Sequence, residues 1–368
     1  MGENRTEDRY TMRQKTVSTT EEGINKEEQV HPYHKRLTLT NFTAFAEQTF
    51  EFVPGINVLI GENGVGKTHV MKALYALQMA MHLRISRYNA SPMTILREIY
   101  NVNDAPIYLH AQSEPATIRG EFNNTQWAFN FKSDGDLGFN TTTHDPTRPI
   151  FIPAIEMMAH TRNMLGIMRG YADFDRTCFD FLELVTAIPS GRSTPSPSTL
   201  LKPLKALVPG EVQYAEEEGR FYLTEGEKRL PFALVAEGAR KVAALSRLIE
   251  GGWLKPGTVL FWDEPEVNIN PKWMDEIIET LVLLAKSGVQ IFLATHSYVV
   301  LKELDLILRE QKGKKSTPVT ARFFSLYRED GTSKAVWGDD FATLEPNPIL
   351  DHYDAMMARD WRLRDEGK

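Results

Sequence analysis

A single cysteine, Cys178, stands in 368 residues. That excludes an internal disulfide, and with no Cys or His ligands beside it Cys178 is no zinc site either, so it reads as a small buried apolar residue. Long apolar runs are missing too. No segment reaches the roughly 18 consecutive apolar residues that a membrane-spanning helix needs, and the N-terminus is polar where a secretory signal has an apolar stretch. The expectation is a cytoplasmic protein without membrane contact. A surplus of positive charge is also lacking: 42 Lys and Arg stand against 49 Asp and Glu, a net charge of −7. This excludes a protein whose whole surface adheres to nucleic acid, while permitting a local basic strip built from Arg84, Arg87, Arg162, Arg169 and Arg176. Apolar periodicity is absent from residues 1–33, which predicts a flexible N-terminal tail. No internal repeat is found.

A hydrophobic share of 42% is ample for a sizeable core. Order is expected from Leu37, where Leu-Thr-Leu-Thr alternates with period two and Thr49-Phe50-Glu51-Phe52 follows within a hairpin's reach. A short buried strand, Ile56–Ile60, runs into Gly61-Glu62-Asn63-Gly64-Val65-Gly66-Lys67-Thr68. Val70, Leu74, Leu77 and Met81 then recur at helical spacing. Strand, glycine loop and helix in this order are the context a phosphate loop requires. Glycines let backbone N–H groups close around phosphate oxygens, and the helix N-terminus adds partial positive charge. Lys67 reaches the β- and γ-phosphates, and Thr68 offers a hydroxyl to Mg²⁺. Gly61, Asn63, Gly64, Gly66, Lys67, Thr68 and His69 are therefore the candidate ATP-binding residues.

The second half reads as regular α/β: a strand over 258–262, a helix over 271–285, a strand over 289–294 and a helix over 298–307. The first of these strands ends in Asp263-Glu264. A buried strand delivering two carboxylates at its C-terminal end fits metal and water handling. Asp263 is the candidate Mg²⁺ ligand and Glu264 the residue that orients or deprotonates the attacking water. Earlier segments are less regular. Short β-like pieces occupy 107–131, 157–187 is mainly helical, 189–198 is a Pro/Ser-rich loop, and 212–230 resembles a hairpin around Glu218-Gly219.

Asp263-Glu264-Pro265-Glu266, followed by Val267-Asn268-Ile269-Asn270-Pro271 and later by Ala294-Thr295-His296-Ser297, resembles the ABC-ATPase class in order and spacing. The resemblance implies that Asn268 lies in the loop crossing a nucleotide dimer, and that His296 is a switch histidine contacting the γ-phosphate. It also implies a signature loop one helix before Asp263. The candidate is Val235-Ala236-Glu237-Gly238-Ala239-Arg240-Lys241, in which Ala236 replaces the usual serine, only Gly238 keeps the small position, and Arg240 is available to phosphate. That departure implies slow hydrolysis. Glu156 occupies the place in the order of the residue that couples metal to the accessory lobe.

Asn41-Phe42-Thr43-Ala44-Phe45 resembles the opening of chromosome-maintenance, RecF-like and overcoming-lysogenization-defect ATPases, although Thr43 stands where a basic residue often follows. Compact ATPases of bacterial anti-phage and abortive-infection systems, such as those of PARIS and Septu, are similar over roughly 36–355. The implied fold is α/β, an ABC-ATPase head with a phosphate-loop core sheet, an antiparallel β lobe and an inserted helical subdomain. The segments expected are a tail over 1–33, the first part of the core with the lobe over 34–155, a helical insertion over 156–205 and the second part of the core over 206–368. The implied function is an ATP-hydrolysing homodimer or higher homo-oligomer, a sensor and scaffold controlling a separate toxic effector, a nuclease. The acidic pair Asp339-Asp340 reads as a solvated loop, which leaves killing to another protein. The alternative is a RecF-like ATP-dependent DNA clamp in repair.

Overall fold

A computed structural model describes residues 31–85, 92–102, 109–111, 115–123, 125–131, 137–140, 147–162, 174–187, 197–311 and 318–367. The expected tail through Val30, the Pro/Ser-rich stretch 188–196, Arg87 and Arg169 lie outside the described residues, as does the side chain of Arg84.

In chain order the main elements are β1 (His34–Phe42), β2 (Phe45–Glu51), β3 (Ile56–Gly61), α1 (Lys67–Ile85), α2 (Pro92–Tyr100), β4 (Ala116–Phe122), β5 (Thr125–Phe131), β6 (Leu137–Asn140) and β7 (Ile150–Ile152). There follow α3 (Arg176–Thr186), α4 (Pro197–Leu207), β8 (Glu211–Ala215), β9 (Arg220–Glu225), β10 (Lys228–Pro231), α5 (Glu237–Glu250) and β11 (Val259–Asp263). The last are α6 (Met274–Lys286), β12 (Gln290–Thr295), α7 (Tyr298–Gln311), β13 (Ala321–Glu329), β14 (Thr332–Gly338) and α8 (Pro348–Asp365).

The central sheet runs β14-β13-β3-β12-β11-β7. All its neighbours are parallel except the edge strand β14. Every residue of β3, β11 and β12 is buried, as expected of parallel strands covered on both faces. Alternate side chains feed two different cores, because successive residues of a strand point to opposite faces. Leu260 and Trp262 join Ile291 and Leu293 against α3 to α7, whereas Val259 and Phe261 join Phe292 and Ala294 against α1, α2 and the β lobe. Phe181 and Leu182 of α3 and Leu201 and Leu204 of α4 belong to the first of these cores. The described helices of the expected insertion thus pack on the central sheet itself.

The β lobe is the antiparallel sheet β2-β1-β4-β5-β6. Order in this sheet begins at His34, ahead of the expected Leu37. His34 is fully buried, its N–H donates to Gln290 Oε1 (2.8 Å), and its ring Nε2 lies 2.9 Å from Gln78 Oε1. Burial lowers its pKa to about 4, so the ring is neutral near pH 7. Polar residues lacking periodicity gave no hint of this, because the hydrogen bond to Gln290 spans 256 positions.

Two further expectations are corrected. The hairpin over 212–230 is a three-stranded sheet, β10-β9-β8, since Gly226 (φ 58°) turns the chain once more. Pro197 and Ser198, taken for loop, open α4, where a proline is tolerated because the first helical N–H groups have no intrahelical partner.

Candidate functional site

Parallel strands deliver their C-terminal ends to one rim of the sheet. Thr295 lies opposite Ile60, Ala294 opposite Asp263, and Leu326 opposite Gly61. The glycine loop, the two carboxylates and the Thr295-His296 segment therefore meet along this rim although they are far apart in sequence.

Gly61 and Gly66 have φ of 150° and 97°. A Cβ on Gly61 would lie 2.4 Å from the Leu326 carbonyl oxygen, and one on Gly66 would lie 2.8 Å from the Phe45 ring. Asn63 and Gly64 are exposed at the loop's tip. The Lys67 ammonium is buried and donates to the carbonyls of Gly61 (2.7 Å) and Glu62 (2.9 Å). Burial lowers its pKa, opposed by the charges of Glu264, Asp263, Glu266 and Glu62. Arg328, at the end of β13, donates to the Gly64 carbonyl (3.0 Å). No local pattern marks Arg328 as a neighbour of the loop.

Thr68 Oγ1 donates to Asp263 Oδ2 at 2.8 Å, across 195 positions of sequence. The other oxygen, Asp263 Oδ1, is buried with no hydrogen-bond partner among the described residues. Burial raises the Asp263 pKa from the ordinary 3.8 to about 6; the Thr68 hydrogen bond opposes that rise and Glu264 adds to it. A hydroxyl bonded to a buried, half-satisfied carboxylate is a donor set that suits a hard divalent cation.

This site carries a pH prediction. A carboxyl with a raised native pKa binds its proton more tightly in the folded state. Its stabilising contribution is therefore full below pH 3.8 and is lost as pH climbs through about 6. The displacement corresponds to about 3 kcal/mol of destabilisation at pH 7. Asp263→Asn is expected to raise the stability of the nucleotide-free protein at pH 7 while leaving it nearly unchanged at pH 4. Denaturant titrations of both proteins at the two pH values would show this, and parallel pH profiles would contradict it.

His69 turns its side chain away from the loop. Its imidazole packs edge-on against Tyr100 of α2 with ring centroids 5.6 Å apart, and Tyr100 donates to its carbonyl (2.8 Å). Burial, aided by Lys72, lowers its pKa to about 4. The ring is engaged in the α1–α2 contact.

Glu264 has φ of 48°, and its N–H donates to the Ala294 carbonyl (2.9 Å). This kink brings Glu264 Oε1 to 3.6 Å from His296 Nδ1. Glu266 was not singled out as a site residue from the sequence, yet it organises the segment. Its Oε1 accepts from Thr295 Oγ1 (2.7 Å) and from the His296 N–H (3.2 Å), and lies 3.7 Å from His296 Nδ1.

The candidate signature loop opens α5. Ala236 is its N-cap and makes no side-chain cap, consistent with the missing serine hydroxyl. Gly238 is buried against the Asn268 loop of the same chain, and a Cβ there would lie 2.7 Å from the Asn268 carbonyl oxygen. Asn268, at φ 60°, donates through Nδ2 to Glu237 Oε1 (2.8 Å). Two expectations fail here. Arg240 is held by Glu156 (2.8 Å) and by the carbonyls of Phe232 (3.0 Å) and Val235 (2.9 Å), so its guanidinium is committed inside the chain. Glu156 also accepts from the Met158 and Ala159 N–H groups, which makes it a bracket between this turn and α5.

Of the arginines considered for a basic strip, Arg176 is mostly buried and paired with Asp180 and Glu98. Arg162 is exposed. Asp339 pairs with Arg322 (3.0 Å) and Asp340 caps the turn at Ala342 (3.0 Å), so both acids have local structural work. Among the described residues no helix is long and apolar enough to cross a membrane.

Comparison with known proteins places these segments. Residues 184–302 match a family model described as an AAA domain, putative AbiEii toxin, type IV TA system, and residues 36–82 match a second AAA-domain model. The DNA replication and repair protein RecF of Geobacillus kaustophilus is 48% identical over 50 residues, 14% of this chain and 13% of that protein. RecF of Halalkalibacterium halodurans is 35% identical over 81 residues, 21% of this chain and 22% of the relative. The chain thus spans between 13% and 22% of the length of these two curated relatives. Among solved structures, an Smc head bound to the C-terminal winged-helix domain of ScpA aligns with a TM-score of 0.52 at 15% identity, covering 83% of this chain and 97% of that one. An Smc head with an extended coiled coil, bound to the C-terminal domain of ScpA derived from Pyrococcus furiosus, gives 0.50 at 12%, covering 89% and 100%. The fold is similar to that of these Smc head structures.

Proposed function

We propose that this chain binds and hydrolyses ATP in a nucleotide-dependent dimer and that its turnover controls a separate effector protein. The observation that carries the ATPase reading is the convergence at one rim of Lys67, Thr68 bonded to Asp263, and Glu264 beside His296. Backbone N–H groups of the Gly61–Thr68 loop cradle the phosphates and Lys67 exchanges its two carbonyl partners for phosphate oxygens. Thr68 and Asp263 would hold Mg²⁺, which when bound would supply positive charge to offset that of the phosphates. Glu264 orients the attacking water and accepts its proton, and His296 donates to the γ-phosphate. Asn268, exposed beside the buried Gly238 at the start of α5, belongs to the surface that a second copy's nucleotide meets. Ala236 offers no hydroxyl there, which is the reason to expect slow turnover.

For the role of that turnover, the family model over 184–302 is described as a putative toxin of a toxin–antitoxin system, which is in keeping with an abortive-infection setting; the separate effector is our own reading of the chain. A RecF-like DNA clamp is the second reading, supported by the similarity to RecF. It is weakened by the net charge of −7 and by the loss of Arg176 from the proposed strip.

The two separate in one experiment. The Glu264→Gln chain is expressed with its genomic neighbours, purified with and without ATP, and analysed by light scattering and mass spectrometry. The expected result is a defined complex with a second protein. A partner-free dimer that captures duplex DNA only with ATP, and loses it as salt rises, would replace the effector reading by the clamp.

A further inference from the structure

The helix α5 carries a second cation one residue beyond Arg240, and it is treated differently by the fold. Lys241 is 3% exposed, yet its ammonium has no hydrogen-bond partner among the described residues. Lys241 lies four residues after Glu237 and three after Gly238, which makes it a helix-surface neighbour of both. The start of the helix abuts the loop after β11, because Glu237 bonds Asn268 and Gly238 sits against the Asn268 carbonyl and the Ile269 Cα. The loop folds back on itself through Ile269 N–H to the Glu266 carbonyl (3.1 Å) and Val267 N–H to the Glu264 carbonyl (3.2 Å). Within it Glu266 Oε2 is a buried oxygen without a hydrogen-bond partner among the described residues, while its Oε1 holds Thr295 and the His296 N–H. An unpartnered ammonium and an unpartnered carboxylate oxygen thus stand on two elements packed against each other.

We propose that Lys241 is a positioning residue whose ammonium pairs with Glu266 Oε2 when a second copy contacts the start of α5, so that dimer contact, through Glu266, steadies the His296 segment beside Glu264. The inference rests on the ATPase reading above. Leaving a cation buried and unpaired costs stability, and a purely structural position would be served as well by an apolar side chain of similar volume. Burial lowers the pKa of Lys241, while Glu237, Glu266, Glu264 and Glu156 pull it up, so carboxylates dominate its surroundings. A shift of the helix toward any of them is favoured electrostatically, but only Glu266 has both an unpaired oxygen and a direct bond to the His296 backbone.

The test is a double-mutant cycle on ATP turnover in the full chain, with thermal stability measured alongside. Lys241→Met is expected to lower kcat by about 10- to 100-fold, the range seen for residues acting through a neighbour, with KM for ATP little changed and Tm equal or higher. Lys241→Arg should recover most of the loss. Glu266→Gln should also lose turnover, and adding Lys241→Met to it should cost little more. Parent-level kcat in Lys241→Met, or losses that add in full, would overturn the pairing. If Lys241→Met does not fold, the neutral, polar Lys241→Gln takes its place in the same cycle and is judged by the same outcomes. ATP binding by the parent and its loss in Lys67→Ala are measured together with these. Failure of that control would remove the ATPase reading itself, whereas normal parent turnover with a silent Lys241 substitution removes this inference alone.

Discussion

Lys67→Ala is expected to weaken ATP binding by about 10²- to 10⁴-fold, the equivalent of two charge-assisted hydrogen bonds at about 1.5–3 kcal/mol each. The ammonium is held by the carbonyls of Gly61 and Glu62, which place it over the loop where a phosphate would sit. The substitution leaves those two carbonyls without their donor. Part of its effect will therefore be a loss of stability, which the melting temperature without nucleotide isolates. Titration with ATP by calorimetry gives the binding loss directly. An affinity within a few-fold of the parent would remove the glycine loop from the nucleotide site.

Glu264→Gln should separate binding from chemistry. Glutamine keeps the shape of the side chain and leaves the N–H to Ala294 carbonyl bond intact, so the backbone kink at φ 48° is expected to persist. What disappears is the basic oxygen beside His296. The expected result is ATP affinity close to the parent's with kcat reduced by about 10²- to 10⁴-fold, the contribution typical of a positioned general base. A dimer should then accumulate with ATP, because the step that reopens it is blocked. Undiminished phosphate release by Glu264→Gln would assign the water to another residue.

The residues that converge at the rim were legible because their chemistry is written locally. Glycines before Lys67-Thr68, and an apolar strand before Asp263-Glu264, are patterns that a few consecutive positions suffice to state. The residues that hold this rim together carry no such mark. Glu266 reads as one more acid in an acidic stretch until Thr295 Oγ1 and the His296 N–H are found on its Oε1. Arg328 lies at the end of an ordinary strand and reaches Gly64 only because β13 runs beside β3. Arg240 and Arg176 looked like free cations in sequence; tertiary packing pairs one with Glu156 and the other with Asp180 and Glu98. The same limit applies to the fold. Alternation found the strands around Leu37 and Phe50, but not the burial of His34 by Gln290 and Gln78.

The position of β3 has a consequence for biosynthesis. This strand is the middle of the central sheet, flanked by β12 and β13, and its nearer partner in sequence begins only at Gln290. A ribosome adding about 5–20 residues per second would need roughly 10–50 s after finishing β3 before β12 emerges. Throughout that interval Ile56–Gly61 has both hydrogen-bonding edges uncovered by their native strands, in a segment whose residues are all buried in the finished protein. The nascent chain therefore passes through a long, sticky stage in which shielding by chaperones, or by provisional contacts with the already complete β1–β2 hairpin, governs the yield of folded protein.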